Sequence, residues 1–360
     1  MKIIDKYILK QFIQIILFGL LAFILLFIII DLFEKLDDFI DKDVPKIIIL
    51  KYYFVSLPEI TRLILPVSVL LAGLFTIGNM VNHNELTALK AGGLNIYRFM
   101  APFVVFSFLL SLFAIYFGGF VVPNANKEKI FIEQTYMKKG VVSAGNNVYF
   151  QDAEFRIVTI SFYDTRNNQA NRVSIQEFDS TDVTKMTLRI DAHRMKYDAK
   201  NNQWILLNGV RRRFVDSLEF LADFDTLKMA NLNFSPQDVI KKQTKPEEMT
   251  IPELADYAAE QVRTGNNPTR IEIEYYSRFA FAFSSFVIIL FGLPIAVGKK
   301  RGGIAIQFGI NLLIAFSYLV LMKLAQSFGK NGVFDPLLTA WGANAVFFTI
   351  AIINLYRIRK

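Results

Sequence analysis

The chain has 360 residues, 53% of them hydrophobic, with 35 phenylalanines and a formal net charge of +8. A single soluble core cannot bury so many hydrophobic side chains, so the composition predicts a membrane protein with a soluble part attached. Cysteine is absent and there are two histidines, which excludes a disulfide framework, a thiolate nucleophile and a cysteine metal site. The positive charge clusters at the ends of apolar spans, which the positive-inside rule explains without nucleic acid as a partner.

Residues 1–122 are predicted to form the first membrane half, with three crossings. The first crossing covers about residues 8–30 and is retained, because no small-residue cleavage site of a signal peptide follows it. It ends in the acidic stretch 31–38, which is predicted to be external. Residues 47–62 contain charges and a proline, which favours a segment lying along the interface. The second and third crossings are predicted at residues 63–81 and 99–121.

A short polar segment, residues 82–95, connects the second and third crossings. Asn82 or Asn84 can cap a helix there, Glu85 falls in its first turn, and Gly92 begins its C-terminal stop. A helix of about ten residues is marginal in water on its own, because nucleation is costly. This helix is therefore predicted to dock, either on the adjacent spans and headgroups as an ordinary loop helix or on a separate protein.

Residues 123–249 have a different composition and are predicted to form a soluble β domain. Residues 186–193 alternate between apolar and polar side chains, the period of a half-buried strand. Residues 198–203 are typical of a hairpin loop. Seven or more short strands without a helical pattern favour an antiparallel sandwich or open roll. His193 lies on a polar strand face and is interpreted as a solvated surface residue.

Residues 250–360 are predicted to contain a connecting helix and the second membrane half. Thr250 and Glu253 form a capping box at the start of that helix. Three crossings follow, at residues 279–297, 304–325 and 337–356, and the densest basic cluster, 299–301, lies between the first two. Six crossings place both termini on one side. The distribution of Lys and Arg makes that side cytoplasmic and the β domain external.

The sequence contains no phosphate-binding loop and no spacing typical of a paired acid and base. We therefore expect no cofactor and no catalytic residue. Lys35, Arg62 and Lys323 are candidates for contact with lipid headgroups, because a cation near a span either snorkels to the interface or meets an anionic group. For Lys323, snorkelling to the interface is an alternative to a headgroup contact. The acidic residues around Lys35 make a headgroup contact less favourable for that lysine.

Several motifs in the membrane halves resemble the lipopolysaccharide-export permease family LptF/LptG. The segment 84–93 is the most specific of them. The others are Asp5-Lys6-Tyr7-Ile8, Leu57-Pro58-Glu59, Leu65-Pro66, Leu293-Pro294-Ile295-Ala296, and Asp335-Pro336 with Trp341 and Asn344. The resemblance implies a six-span α-helical membrane protein of the bacterial inner membrane. A periplasmic jelly-roll-like domain is then inserted between spans three and four.

The resemblance also implies a role. The chain would be the non-catalytic permease subunit of an ABC transporter that extracts lipopolysaccharide and passes it to LptC-like and LptA-like periplasmic β-jellyroll proteins. A separate LptB-like cytoplasmic subunit would hydrolyse ATP, and a paralogue or a second copy would supply the other permease half. The segment 82–95 would be the helix that couples to the ATPase, through Glu85, Leu86, Leu89, Lys90 and Gly92.

Two other classes of function stay open at this point. An ion-driven secondary transporter is expected to have buried carboxylates or broken helices near the middle of the membrane, and the spans carry no acids. A membrane-anchored periplasmic enzyme or scaffold is expected to have a catalytic constellation, and none is visible. Whether the chain is the F-like or the G-like half is also left open.

Overall fold

A computed structural model of the chain describes residues 3–137, 148–164, 168–199, 201, 203–215, 218–236, 239, 245–263, 267–297 and 303–357. Two compact units emerge, Met1–Met137 with Pro246–Lys360, and Lys138–Lys245. The described part of the first unit is helical and that of the second is an antiparallel sheet. The predicted fold class, membrane helices with an inserted β domain, is confirmed. The basic cluster 299–301 lies outside the described residues.

The first unit contains ten described α-helices. In chain order they are α1 (Ile3–Asp41), α2 (Lys46–Asn82), α3 (Glu85–Ala91), α4 (Ile96–Tyr116), α5 (Val122–Tyr136), α6 (Ile251–Arg263), α7 (Thr269–Ala282), α8 (Ser284–Val297), α9 (Gly303–Lys330) and α10 (Pro336–Arg357). A π-helical turn, Phe117–Val121, joins α4 to α5, and a 3₁₀ turn, Pro246–Glu248, precedes α6.

Five stretches of helix among the described residues are long and apolar enough to cross a membrane. They are Ile3–Asp41, Lys46–Asn82, Ile96–Tyr136, Gly309–Lys330 and Pro336–Arg357. Helices α7 and α8 form a sixth if the pair, bent by 41° at its break, counts as one span. The predicted fourth crossing is therefore a broken helix.

Two helices run further than the sequence analysis indicated. The third helix does not end at Pro123, because it continues through the π turn into α5 and reaches Tyr136. Proline removes an N–H and its ring meets the carbonyl four residues back, and a wider π turn directly before it accommodates both effects. Residues 47–62 are not a separate interfacial segment either, since they belong to the 37-residue helix α2.

Close packing of α2 against α8 organises the centre of the helical unit. A Cβ atom added to Gly73 would lie 2.5 Å from Ile289 Cδ1, and one added to Gly292 would lie 2.4 Å from Leu70 Cδ1. Each glycine thus receives a branched side chain of the facing helix, the arrangement that small residues allow between apolar helices. This pair of contacts fixes α2 and α8 in register.

The second unit is a six-stranded sheet in which every strand pairs with its neighbour in sequence. The strands are β1 (Val148–Ala153), β2 (Arg156–Asp164), β3 (Gln169–Phe178), β4 (Met186–Asp198), β5 (Gln203–Val215) and β6 (Leu218–Met229). The predicted strand at 186–193 and the hairpin after it are confirmed, because Asp198 pairs with Gln203. Among the described residues this meander fits an open roll better than a sandwich.

One face of the sheet carries the core of the β domain. Its buried side chains include Val158, Ile175, Ile190 and Leu206. Trp204 lies among them and donates from Nε1 to the carbonyl oxygen of Phe234 at 2.8 Å. A buried indole needs such an acceptor, so this bond fixes the segment after β6 against the sheet.

Candidate functional site

The predicted loop helix between the second and third spans is confirmed as α3, and it has seven residues. Asn84 occupies its N-cap position in the left-handed conformation, with φ 57°, and its side chain makes no capping bond. The C-terminal stop is as predicted, since Gly92 is the C-cap and Gly93 has φ +79°. So short a helix depends on tertiary contacts for its stability.

Those tertiary contacts come from the chain itself. Leu86 is only 5% exposed and belongs to the main core of the helical unit, while Leu89 is half-buried against the same core. Leu86 therefore faces the chain's own core and not the outward side of α3. Residues three apart share a helix face, and the apolar face of this short helix is the one that holds it in place.

The outward side of α3 carries small and polar residues. Thr87, Ala88, Lys90 and Gly92 are exposed, and Glu85 is partly exposed at the edge of this surface. A Cβ added at Gly93 would meet nothing within 4 Å. The outward face of α3, defined by these residues, is thus shallow and carries one carboxylate and one ammonium group.

Polar contacts join the beginnings of α1 and α4 to each other and to α3. The Tyr7 hydroxyl, near the start of α1, donates to Glu85 Oε1 at 3.1 Å. Arg98, near the start of α4, pairs with Asp5 at 2.6 Å between Nη2 and Oδ2. Neither pair was predicted from the sequence. The available signal was the placement of a carboxylate and a phenol directly before the apolar run of α1.

The three headgroup candidates have no contact partner in common among the described residues. Lys35 pairs with Asp31 at 2.8 Å and also contacts Tyr52, whose hydroxyl donates to Glu133 at 3.0 Å. The Lys35 side chain is only 17% exposed, and its ammonium group is already bound by Asp31 and Tyr52. This network ties α1 to α2 and α5.

Arg62 and Lys323 differ in their surroundings. Arg62 Nη2 lies 3.1 Å from Glu59 Oε1, and its guanidinium lies 5.7 Å from the centroid of the Phe281 ring. It lines a small surface cleft together with Arg278. Lys323 is exposed on α9 and makes no hydrogen bond or ion pair within the described part of the chain. No group of three or more metal-ligating side chains occurs among the described residues.

Five or six apolar helices, an inserted β sheet and a short helix docked between two spans define a membrane protein of several spans with one inserted β domain. Residues 6–357 match the family described as lipopolysaccharide export system permease LptF/LptG, and the chain belongs to this family. The resemblance drawn from the motifs is thereby confirmed.

The chain is also similar to individual relatives of known name. It is 22% identical over 374 aligned residues to the lipopolysaccharide export system permease protein LptF of Escherichia coli strain K12, with 98% of this chain and 95% of the relative covered. The LptF proteins of Escherichia coli O157:H7 and Shigella flexneri match with the same identity and coverage.

Proposed function

We propose that the chain is a permease subunit that extracts lipopolysaccharide from the bacterial inner membrane and passes it to a periplasmic bridge. In this proposal a separate LptB-like ATPase supplies the energy, a paralogue or second copy supplies the other permease half, and LptC-like and LptA-like proteins receive the lipid. Family membership supports the role in lipopolysaccharide export. The relatives are named as permease proteins, which supports a non-catalytic role.

The observation that carries the ATPase partnership is the orientation of α3. The helix is attached to its own chain through Leu86 and Leu89, and its outward face carries small and polar side chains. Such a face fits into a groove without rearrangement, because the leucine side already fixes the helix. Glu85 lies at its edge, where a cation of the groove would meet a carboxylate that Tyr7 holds in place.

Charge distribution supports the orientation in the membrane. Lys90 and Arg98 are near α3, whereas the far end of α1 carries the acidic stretch 31–38. By the positive-inside rule α3 and both termini are cytoplasmic, and the β domain is periplasmic. On this basis α3 is on the side where an ATPase finds its nucleotide.

The broken pair α7–α8 is a feature that an ion-driven transporter would also have. In such transporters the freed carbonyls of a break coordinate the ion. Here two carbonyls beside the break already accept from side chains, Ala280 from Asn344 Nδ2 at 2.8 Å and Phe281 from Ser284 Oγ at 2.6 Å. These bonds favour a structural role for the break over an ion site. We therefore propose a transporter driven by an ATPase and not by an ion gradient.

A charge exchange at Glu85 tests the proposal. Removing one partner of a desolvated pair costs about 2–5 kcal/mol, so Glu85→Arg should weaken binding of the ATPase at least about 30-fold. If Glu85 only complements the helix dipole, the loss is about 0.3–1 kcal/mol of helix stability. Co-purification in detergent and lipopolysaccharide export in cells measure the two effects, and an arginine-to-glutamate change in the groove of the ATPase should restore binding.

Two further variants separate docking from folding. His83→Gln is the matched control, because His83 is exposed beside α3 and contacts only the Asn79 carbonyl of its own helix among the described residues. It should bind the ATPase normally. Leu89→Asp should lower thermal stability as well as binding, since Leu89 packs inward. Normal export by Glu85→Arg with the unmodified ATPase would refute the coupling role.

A further inference from the structure

We propose that Gly118, Gly119, Pro246, Ile251 and Arg278 form a clamp that holds the two chain ends of the β domain and helix α7 together as one rigid piece. The chain leaves the helical unit after α5 and returns at Pro246. The clamp joins the helix that leads out to the segment that leads back in. On the basis of the proposed function, we infer that it remains closed while the helices move during transport.

The first observation is an unpartnered carbonyl that the π turn creates. In an α-helix the Gly118 oxygen would accept from the N–H of Val122, but that N–H donates to the Phe117 oxygen instead. The π-helical donor for Gly118 would be residue 123, which is proline and has no N–H. A buried carbonyl without a donor is costly, so this position requires a donor from elsewhere in the fold.

Arg278 supplies that donor. Its Nη1 donates to the Gly118 oxygen at 2.9 Å, and its Nη2 donates to the oxygens of Pro246 at 3.0 Å and Glu247 at 3.3 Å. Glu274, one turn earlier on α7, balances the charge at 3.2 Å. The arginine is only 4% exposed. A fork of rigid donors is what distinguishes arginine from lysine at such a site, and here it joins three segments of the chain.

The second observation is steric. A Cβ added to Gly119 would lie 2.3 Å from Ile251 Cδ1 and 3.0 Å from its Cγ1. The first residue of α6 therefore sits directly against the backbone of the π turn, in a space that only glycine leaves free. The position of α6 against the π turn is therefore set by close packing, in addition to the hydrogen bonds of Arg278.

A further contact joins α5 to α6 beyond the clamp residues. Lys127 Nζ lies 2.9 Å and 3.0 Å from the two carboxylate oxygens of Glu253, between α5 and α6. Glu253 also accepts from the N–H of Thr250 at 2.7 Å, which is one of the two hydrogen bonds of the predicted capping box. This ion pair is exposed and adds little energy. It shows that α5 and α6 stay adjacent beyond the π turn.

The clamp determines how a movement of α7 is passed to the chain ends of the β domain. Because α5 and the returning segment are both fastened to α7 through Arg278, a shift of α7 displaces both chain ends of the β domain by the same vector. If the clamp opened, the two ends would separate and α7 would move without them.

The experiment uses spin labels, since the natural chain has no cysteine to compete for them. Gln134→Cys on α5 and Asp256→Cys on α6 are exposed positions outside the clamp. Electron–electron double resonance should give one narrow distance that is the same in the chain alone and in the ATPase complex with and without nucleotide. A nucleotide-dependent shift larger than the resting width would overturn the proposal.

Variants test the parts of the clamp. Arg278→Met should broaden the distance distribution and reduce export, and so should Gly119→Ala. Adding Ile251→Ala to Gly119→Ala should restore both, because it removes the two atoms that the new methyl group meets. Gly309→Ala is the control, since a Cβ there meets nothing within 4 Å, and it should change neither measurement.

Recovery in the double variant shows that the effect of Gly119→Ala comes from the contact with Ile251 and not from alanine at position 119 by itself. A narrow distribution in Arg278→Met would overturn the proposal. The distances are also measured in the chain without the ATPase. If the distance between the two labels is narrow and unchanged but the protein exports no lipopolysaccharide, the result counts against the proposed function alone.

Discussion

Replacing Leu206 with alanine should destabilise the β domain by about 2–5 kcal/mol. Leu206 is fully buried in β5, beside Trp204 in the core of the sheet. The substitution removes three carbon atoms, a transfer loss of about 2.4 kcal/mol at roughly 0.8 kcal/mol for each methylene group. The cavity that remains adds to this loss and brings it into the range measured for buried leucines.

The matched control is Leu221→Ala on the adjacent strand β6. Leu221 is 63% exposed, so the same truncation should change stability by no more than about 0.5 kcal/mol. The two tryptophans, Trp204 and Trp341, lie in different units. In a Trp341→Phe background, the emission of Trp204 during urea titration in detergent therefore reports unfolding of the β domain.

The comparison tests which face of the sheet is the core. Pairing that slips by one residue moves every side chain of a strand to the opposite face. If Leu221→Ala costs as much as Leu206→Ala, or if Leu206→Ala costs nothing, the register described for β5 and β6 is incorrect and the buried face is another one.

Three further outcomes are expected. Gly73→Ala should destabilise the helical unit by about 1–3 kcal/mol in thermal denaturation, and adding Ile289→Val, which removes the Cδ1 atom that the new methyl group meets, should recover part of the loss. A reporter fused to the carboxyl terminus should be cytoplasmic and one inserted at Asn201 external, and finding both on one side would exclude six crossings. Hydrogen bonds from the hydroxyl and backbone N–H of Thr181 lower the pKa of Asp179, so this turn is stabilised above the ordinary pKa and loses that stabilisation as the pH falls through the lowered value. Thr181→Val should move the carboxyl titration, followed by NMR, back upward.

Much of the fold follows from hydrophobic periodicity. Long uncharged runs predicted the membrane helices, and the alternation of residues 186–193 predicted β4, because both signals reflect burial and local geometry together. The extension of the third helix to Tyr136 did not follow. Pro123 is an end signal in an ordinary α-helix, and the π turn before it depends on a donor, Arg278, that is 160 residues away along the chain.

The candidate site was predictable in part for a similar reason. The caps and length of α3 are local features, so its position was found. The direction of its leucine face depends on which neighbouring surface is apolar, and the sequence does not contain that information. The role of Lys35 was equally hidden, since Tyr52 and Asp31 engage it across two helices.

Helix α1 has an uneven distribution of support. Its buried side chains are Asp5, Ile8, Phe12 and Ile16 at one end and Phe39 at the other. All the residues between Ile16 and Phe39 are described, and none of them is buried. A beam supported at its ends deflects most easily at mid-length, where the restoring force is least. In the middle of α1 the side chains that contact the core, Leu20 and Phe23 among them, are only partly buried, so sideways displacement of this helix is expected to be largest there.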